Sequence, residues 1–223
     1  MAEIVFCDTC VTIAQVFQIN SFHLKSNNVF KSYSKYYWSK FVKEEYGRRF
    51  DEKLKNLSNF FQDVKLELEN PNQEFFSLDD LTRYVLKNYS GKMEYDAFSS
   101  ISPFWNTYIG IESQISFDNL KNNIGDCLND LLINTEINGS NLEKNMILTP
   151  ERTREYGKLD SLLKSKGVKK ADRRVILDGH DFSCFNSSSV DFVTFDEDCF
   201  NGASNVELLC FSSVKGKYDF TAS

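Results

Sequence analysis

Apolar positions fall into two kinds of pattern along this chain. Glu3 to Cys7 (EIVFC) is a short, nearly continuous apolar run and predicts a buried strand. Ile13, Val16 and Phe17 follow at helical spacing and predict a helix directly after it. Tyr36, Tyr37 and Trp38 suit a second strand, and Ser39 is a good N-cap for a helix running through Glu45. From about Asn56 to Asn145 the chain is rich in Phe, Asn and Leu and reads mostly as helix. Its clearest apolar stripe is Phe117, Leu120, Ile124, Leu128 and Leu131, and GKMEY and SPFWN read as turns. The last third returns to strand–helix alternation. Thr149 as N-cap and Pro150 at the first helical position predict a helix over TPERTREYGKLDSLLKSKG, and KKADRRVILDGHDFS predicts another. Asp191 to Thr194 (DFVT) and NVELLCFSSV predict two more strands. The alternation defines an α/β fold, with residues 1–223 as one domain and 56–145 as a helical insertion within it.

Composition narrows the class. At 223 residues, 41% hydrophobic and 14% aromatic, the chain can bury one sizeable core or a core plus an inserted subdomain. No apolar run approaches ~18 residues, so none is expected to span a membrane. Glu3 and the lack of a basic N-terminal region argue against a signal peptide. The expectation is a soluble, cytoplasmic protein. Its six cysteines then read as reduced and buried, since IVFC, DEDCF and LLCF place thiols among apolar residues. A formal net charge of −6 disfavours a generic nucleic-acid binder and leaves room for a local basic face.

The candidate chemistry lies where strands end. EIVFC is followed by Asp8, and VDFVT by Asp196 and Asp198. If the two strands are parallel neighbours, these acids converge at one sheet edge, where open α/β sheets bind ligands. Asp172 starts a helix that would enter from the same edge. Such a cluster repels itself and is tolerated when a hard divalent cation, Mg²⁺ or Mn²⁺, neutralises it. These ions orient water and stabilise the charge of phosphoryl transfer.

FCDT after the first strand, SKFVKEE after the second, the KADRRVI helix start and VTFDEDCF at the late strand end together resemble the PIN-domain ribonucleases. That family includes the toxin halves of many toxin–antitoxin pairs. The resemblance covers roughly residues 1–55 and 145–215. It implies a Rossmann-like parallel sheet flanked by helices and an acidic pocket that binds Mg²⁺ or Mn²⁺ and cuts RNA. Asp8, Glu45, Asp172 and Asp196 take the places of the family's catalytic acids. Asp8, Asp172, Asp196 and Asp198 are then the metal ligands, and Thr9 and Thr194 support them. Glu45 is preferred over its neighbour Glu44 and over Glu155, which repeats the same six-residue spacing after Thr149. The implied partners are RNA, an antitoxin protein and a second copy of the chain, with no membrane.

Each residue also has an ordinary reading. Asp8 suits a helix N-cap, Asp172 a cap or a salt bridge to Arg173 or Arg174, Asp196 and Asp198 turn positions, and Glu45 a solvated helix face. Four acids in order on the right element types favour the site. Cys7 and Cys10 around Asp8 and Thr9 have Cys-x-x-Cys spacing, but an intervening Asp raises thiol pKa, and no second pair exists for zinc. His180 reads as structural. The run Arg152, Arg154, Lys158, Lys164, Lys166, Lys169, Lys170, Arg173 and Arg174 reads as a solvated helix face or as a phosphate-tracking surface. In the second reading Lys169, Lys170, Arg173 and Arg174 bind RNA, extended by Arg48 and Arg49. The functional expectation is a metal-dependent endoribonuclease, and the alternative is a non-catalytic PIN-like module that binds RNA or protein.

Overall fold

Ile4–Cys7 (β1) is buried along its whole length, and neighbouring strands pair with it on both sides. The computed structural model describes residues 3–68, 75–89 and 95–220. After β1 the chain forms α1 (Thr9–Val16), α2 (His23–Ser32), β2 (Lys35–Trp38) and α3 (Lys40–Glu67). Next come β3 (Phe75–Phe76), α4 (Leu78–Tyr89), α5 (Tyr95–Ser99), α6 (Ile101–Phe104) and a π-helical turn (Trp105–Ile109). Then follow β4 (Ile115–Ser116), α7 (Phe117–Leu132), α8 (Asn134–Asn145) and β5 (Met146–Leu148). The chain ends in α9 (Gly157–Ser165), α10 (Lys170–Phe185), β6 (Val190–Val193), α11 (Glu197–Ser204) and β7 (Ser213–Lys215). Among the described residues no helix is long and apolar enough to cross a membrane.

The chain divides into two units. One comprises Met1–Gln15, Leu24–Arg48 and Asn141–Ser223; the other comprises Val16–His23 and Arg49–Ser140. The first unit is α/β. Its five strands run parallel in the order β5-β2-β1-β6-β7, flanked by helices. Parallel sheets are covered on both faces, which is why β1 and β6 are buried at every position and read as apolar runs. Phe6 lies at the centre, with Phe192 and Phe182 at ring distances of 6.2 and 6.4 Å. Asp191 is the one acid inside β6. It is buried, accepts from Tyr33 Oη at 2.8 Å and pairs with Lys215 Nζ at 2.9 Å, so its charge is compensated.

The second unit is helical with a small antiparallel pairing of β3 and β4. Leu120, Ile124, Cys127 and Leu131 are the buried stripe of α7, and Ser116 caps that helix by accepting from Asn119 N–H. Phe61 packs on Phe104 with ring centroids 5.0 Å apart. Ser77 and Asp80 cap α4 reciprocally, each side chain accepting the other's backbone N–H.

Several sequence expectations are corrected here. SPFWN is not a turn: it is α6 running into the π-helical turn, and Pro103 fits because it sits in a first helical turn, where N–H groups have no intrahelical partner. In GKMEY, residues 91–94 lie outside the described residues and Tyr95 begins α5. No helix starts at Pro150. Met146–Leu148 is an edge strand on β2, Thr149 N–H continues the ladder to Trp38 C=O at 2.9 Å, and the helix begins only at Gly157. An N-cap and a residue before proline share the extended region of backbone space, so the same letters served a strand end. In NVELLCFSSV only Ser213 and Val214 are in β7; the rest is a loop in which Leu208 is exposed.

Gly202 on α11 has no room for a side chain, since a Cβ there would lie 1.9 Å from Val168 Cγ2. Gly202→Ala should lower unfolding free energy by about 1–3 kcal/mol, measured by urea denaturation. Adding Val168→Ala should cost less than the sum of the two single changes, because it removes the clashing methyl.

A candidate acidic site at the carboxyl edge of the sheet

The chain leaves β1 toward β2 on one side and returns through β6 on the other, so the sheet order reverses between β1 and β6. The crevice outside the carboxyl ends at such a reversal is where α/β sheets place ligands. Asp8 sits at that point. Its N–H continues the sheet by donating to Val193 C=O at 3.0 Å, and its C=O accepts from Val11 N–H at 3.1 Å to start α1. Its side chain does not cap the helix in the usual way. One oxygen accepts from Thr9 N–H at 2.6 Å; the other accepts from Thr194 Oγ1 at 2.7 Å and from Cys10 Sγ at 3.1 Å. Burial pushes the Asp8 carboxyl up from its ordinary value, opposed by these three hydrogen bonds and reinforced by Glu45.

Thr194 ends β6 with no exposed surface, donating to Asp8 and accepting from Asp196 N–H at 3.1 Å. Asp196 caps α11, accepting Cys199 N–H at 2.8 Å through one oxygen. Glu45 approaches from α3, where Thr9 Oγ1 donates to its Oε2 at 2.7 Å. Arg48 Nη2 stands 4.0 Å from its other oxygen. Asp172 stands in the first turn of α10. Its carboxyl is pushed up to about 6 by burial, then by Asp8 and Asp196, with Lys169 opposing and Glu45 adding. That list of charges places Asp8, Glu45, Asp172 and Asp196, from four separate elements, in one field.

The structure thus brings together Asp8, Thr9, Glu45, Asp172, Thr194 and Asp196. Glu44 instead lines a neighbouring cleft of about 280 Å³ with Lys40, Phe41, Arg152 and Asp178, and Glu155 is exposed in the loop before α9. Asp198 is exposed and pairs with Lys169 at 3.5 Å. The basic candidates diverge. Lys170 and Arg49 are exposed, and Arg49 belongs to the second unit. Arg174 lies over the Phe41 ring at 4.3 Å. Arg173 is committed to the fold: its guanidinium holds Asp160 at 2.8 Å and the Val168 carbonyl at 2.9 Å.

Two features were missed in the sequence. Cys10 is more than a reduced thiol in the core: its thiol donates to Asp8 and its sulfur accepts from Phe195 N–H at 3.1 Å. Both Cys7 and Cys10 have their thiols pushed up by burial first and Asp8 second, which suppresses thiolate chemistry in this motif. The second is the pairing of Cys184 with Cys210 in a disulfide beside His180, where reduced, buried thiols were expected. Both cysteines are exposed, and contact across 26 residues is invisible to spacing alone. Among the described residues, His180, Cys184 and Cys210 are the group whose ligating atoms all lie within 4.8 Å of one another; the four acids share a field without closing to that spacing.

Comparison with family models, with curated proteins and with solved structures returns no match. The fold itself defines the class: an α/β unit with a five-stranded parallel sheet flanked by helices. Its acidic cluster lies at the sheet's carboxyl edge.

Asp172 holds its proton in the folded chain between the ordinary carboxylate value of 3.8 and about 6. The folded form binds more protons in that window, so stability falls as pH rises through it. Asp172→Asn should match wild type near pH 4 and exceed it in melting temperature above pH 6, in metal-free buffer. A constant difference across that range would remove Asp172 from the shared field. Arg173→Ala should destabilise by about 1–3 kcal/mol, since it strands the Val168 carbonyl and Asp160; denaturant titration checks this.

Proposed function

We propose that this chain is a metal-dependent endoribonuclease of the PIN type. The observation that supports the reading is the Asp172 carboxyl, pushed up first by burial and then by the charges of Asp8, Asp196 and Glu45, which come from three other elements at the carboxyl edge of the sheet. A structural capping network has no use for that repulsion, whereas a bound cation relieves it.

The donor set fits the group. It consists of carboxylate oxygens, which suit Mg²⁺ or Mn²⁺ rather than a thiophilic metal. Asp8, Asp172 and Asp196 would hold the ion, with Glu45 beside them. When bound, it supplies charge stabilisation for phosphodiester hydrolysis. The chain's own residues do the positioning. Thr194 and Cys10 fix one oxygen of Asp8, leaving the carboxylate a single orientation. Asp196 caps α11 through one oxygen, and its charge acts on Asp172. Glu45, oriented by Thr9, is a carboxylate placed to accept a proton from an attacking water. Lys169 and Lys170, at the start of α10, lie near enough to Asp172 in sequence to meet substrate phosphates.

The test is Mn²⁺ binding by calorimetry, paired with cleavage of an unstructured RNA. Wild type should bind and cut. The double variant Asp8→Asn with Asp196→Asn should keep its circular dichroism and lose both. A well-folded wild type that binds no Mn²⁺ overturns the reading. Lys169→Ala with Lys170→Ala should flatten the salt dependence of RNA binding by about 1.4 in log–log slope, two phosphates' worth for a single strand.

A further inference from the structure

At the far end of α10 from Asp172, His180, Cys184 and Cys210 bring a ring nitrogen and two sulfurs together. Cys184 and Cys210 are disulfide-bonded, with Cα atoms 5.4 Å apart. Both cysteines are exposed and His180 is buried. The acidic site uses none of the three.

The loop that carries Cys210 is held by contacts besides the bond between the sulfurs. Cys210 N–H donates to His180 Nδ1 at 3.0 Å, and Ser183 Oγ donates to Cys210 C=O at 2.5 Å. The next residue, Phe211, stacks on Phe192 with ring centroids 5.1 Å apart, and Ser212 N–H donates to Val190 C=O at 2.8 Å. Opening the disulfide therefore leaves both sulfurs held near each other, which favours its closing again.

The same hydrogen bond sets the ring's proton. Because Nδ1 accepts from Cys210 N–H, the neutral ring carries its hydrogen on Nε2, and Cys184 Sγ lies beside the ring, 3.7 Å from Nε2 and 3.8 Å from Nδ1. Burial holds the ring's basicity below its ordinary value, with Asp181 opposing and Arg152 adding, and Tyr156 packs edge-on at 4.7 Å. A thiophilic cation is disfavoured by this arrangement: ligation through Nε2 would need the proton on Nδ1, where Cys210 N–H already donates.

We propose that Cys184 and Cys210 form a reversible dithiol–disulfide couple, with His180 stabilising Cys184 as the leaving thiolate, and that its partner is a dithiol reductant. One thiolate of that reductant attacks Cys210 Sγ. The Cys184–Cys210 bond breaks as the mixed disulfide forms, and Cys184 leaves as a thiolate beside the His180 ring. The second thiol of the reductant then displaces Cys210 Sγ. The reductant departs as its disulfide, having given two electrons, and two protons go to the protein thiols.

The test equilibrates the native protein in mixtures of reduced and oxidised dithiothreitol, alkylates it with N-ethylmaleimide and maps Cys184 and Cys210 by peptide mass spectrometry. Both should become reactive together and reversibly, with unchanged far-ultraviolet circular dichroism. In reduced His180→Asn, alkylation of Cys184 at pH 7 should be about tenfold slower, and Cys210 in the same molecule serves as the reference rate. A bridge that opens only when the chain unfolds overturns the proposal. So does an unchanged Cys184 rate in His180→Asn, and so does one equivalent of zinc in the purified protein that Cys184→Ser releases.

Discussion

The first unit depends on one constraint: β1 is buried on both faces and paired on both edges. A four-residue strand in that position tolerates a polar side chain only where a partner compensates it, and Ile4–Cys7 supplies no acid or base. The first residue that can carry charge is Asp8, one step past the end of the strand. There its N–H still belongs to the sheet while its carbonyl belongs to the helix. The hydrophobic effect places the strand, and the strand's end places the acid.

A buried carboxylate at such a point must be compensated. Here the compensation comes from neutral donors, Thr9 N–H, Thr194 Oγ1 and Cys10 Sγ, with no cation among its hydrogen-bond partners in the described residues. The contrast with Asp191 is instructive. That acid, two residues earlier on β6 than the strand's last residue, is neutralised by Lys215 and Tyr33. One buried acid is paired with a cation, and the other is held in place by neutral donors alone among the described residues. Adding Glu45, Asp172 and Asp196 to its surroundings raises the electrostatic cost further. That cost is what the proposed cation would relieve.

The two ends of α10 carry different chemistry. Its first turn brings Asp172 into the acidic field, and its last brings Cys184 to a docked loop. Between them, Gly179 lets Phe6 and Phe211 approach the helix, with a Cβ there meeting Phe6 at 2.9 Å. That close approach is what lets the Cys210 segment lie against the helix at all. The helix thus works as a ruler that keeps an oxygen-donor site and a sulfur site on separate edges of the sheet.

What the sequence determined by itself is whatever depends on local pattern. The EIVFC and VDFVT strands, the α7 stripe and the order of the acids were all legible, because burial imposes a period and strand ends impose a boundary. Local signals misled where two structures share one signature: Thr149–Pro150 reads as a cap and ended a strand instead, and SPFWN reads as a turn and lies in helices. Only the tertiary structure decided that Glu45 rather than Glu44 or Glu155 faces Thr9, and that Arg173 serves the fold. It also made Cys10 a hydrogen-bond donor to Asp8 and joined Cys184 to Cys210. Each of these depends on the direction of a side chain across tens of residues. Direction is set by packing, which one-dimensional spacing does not encode.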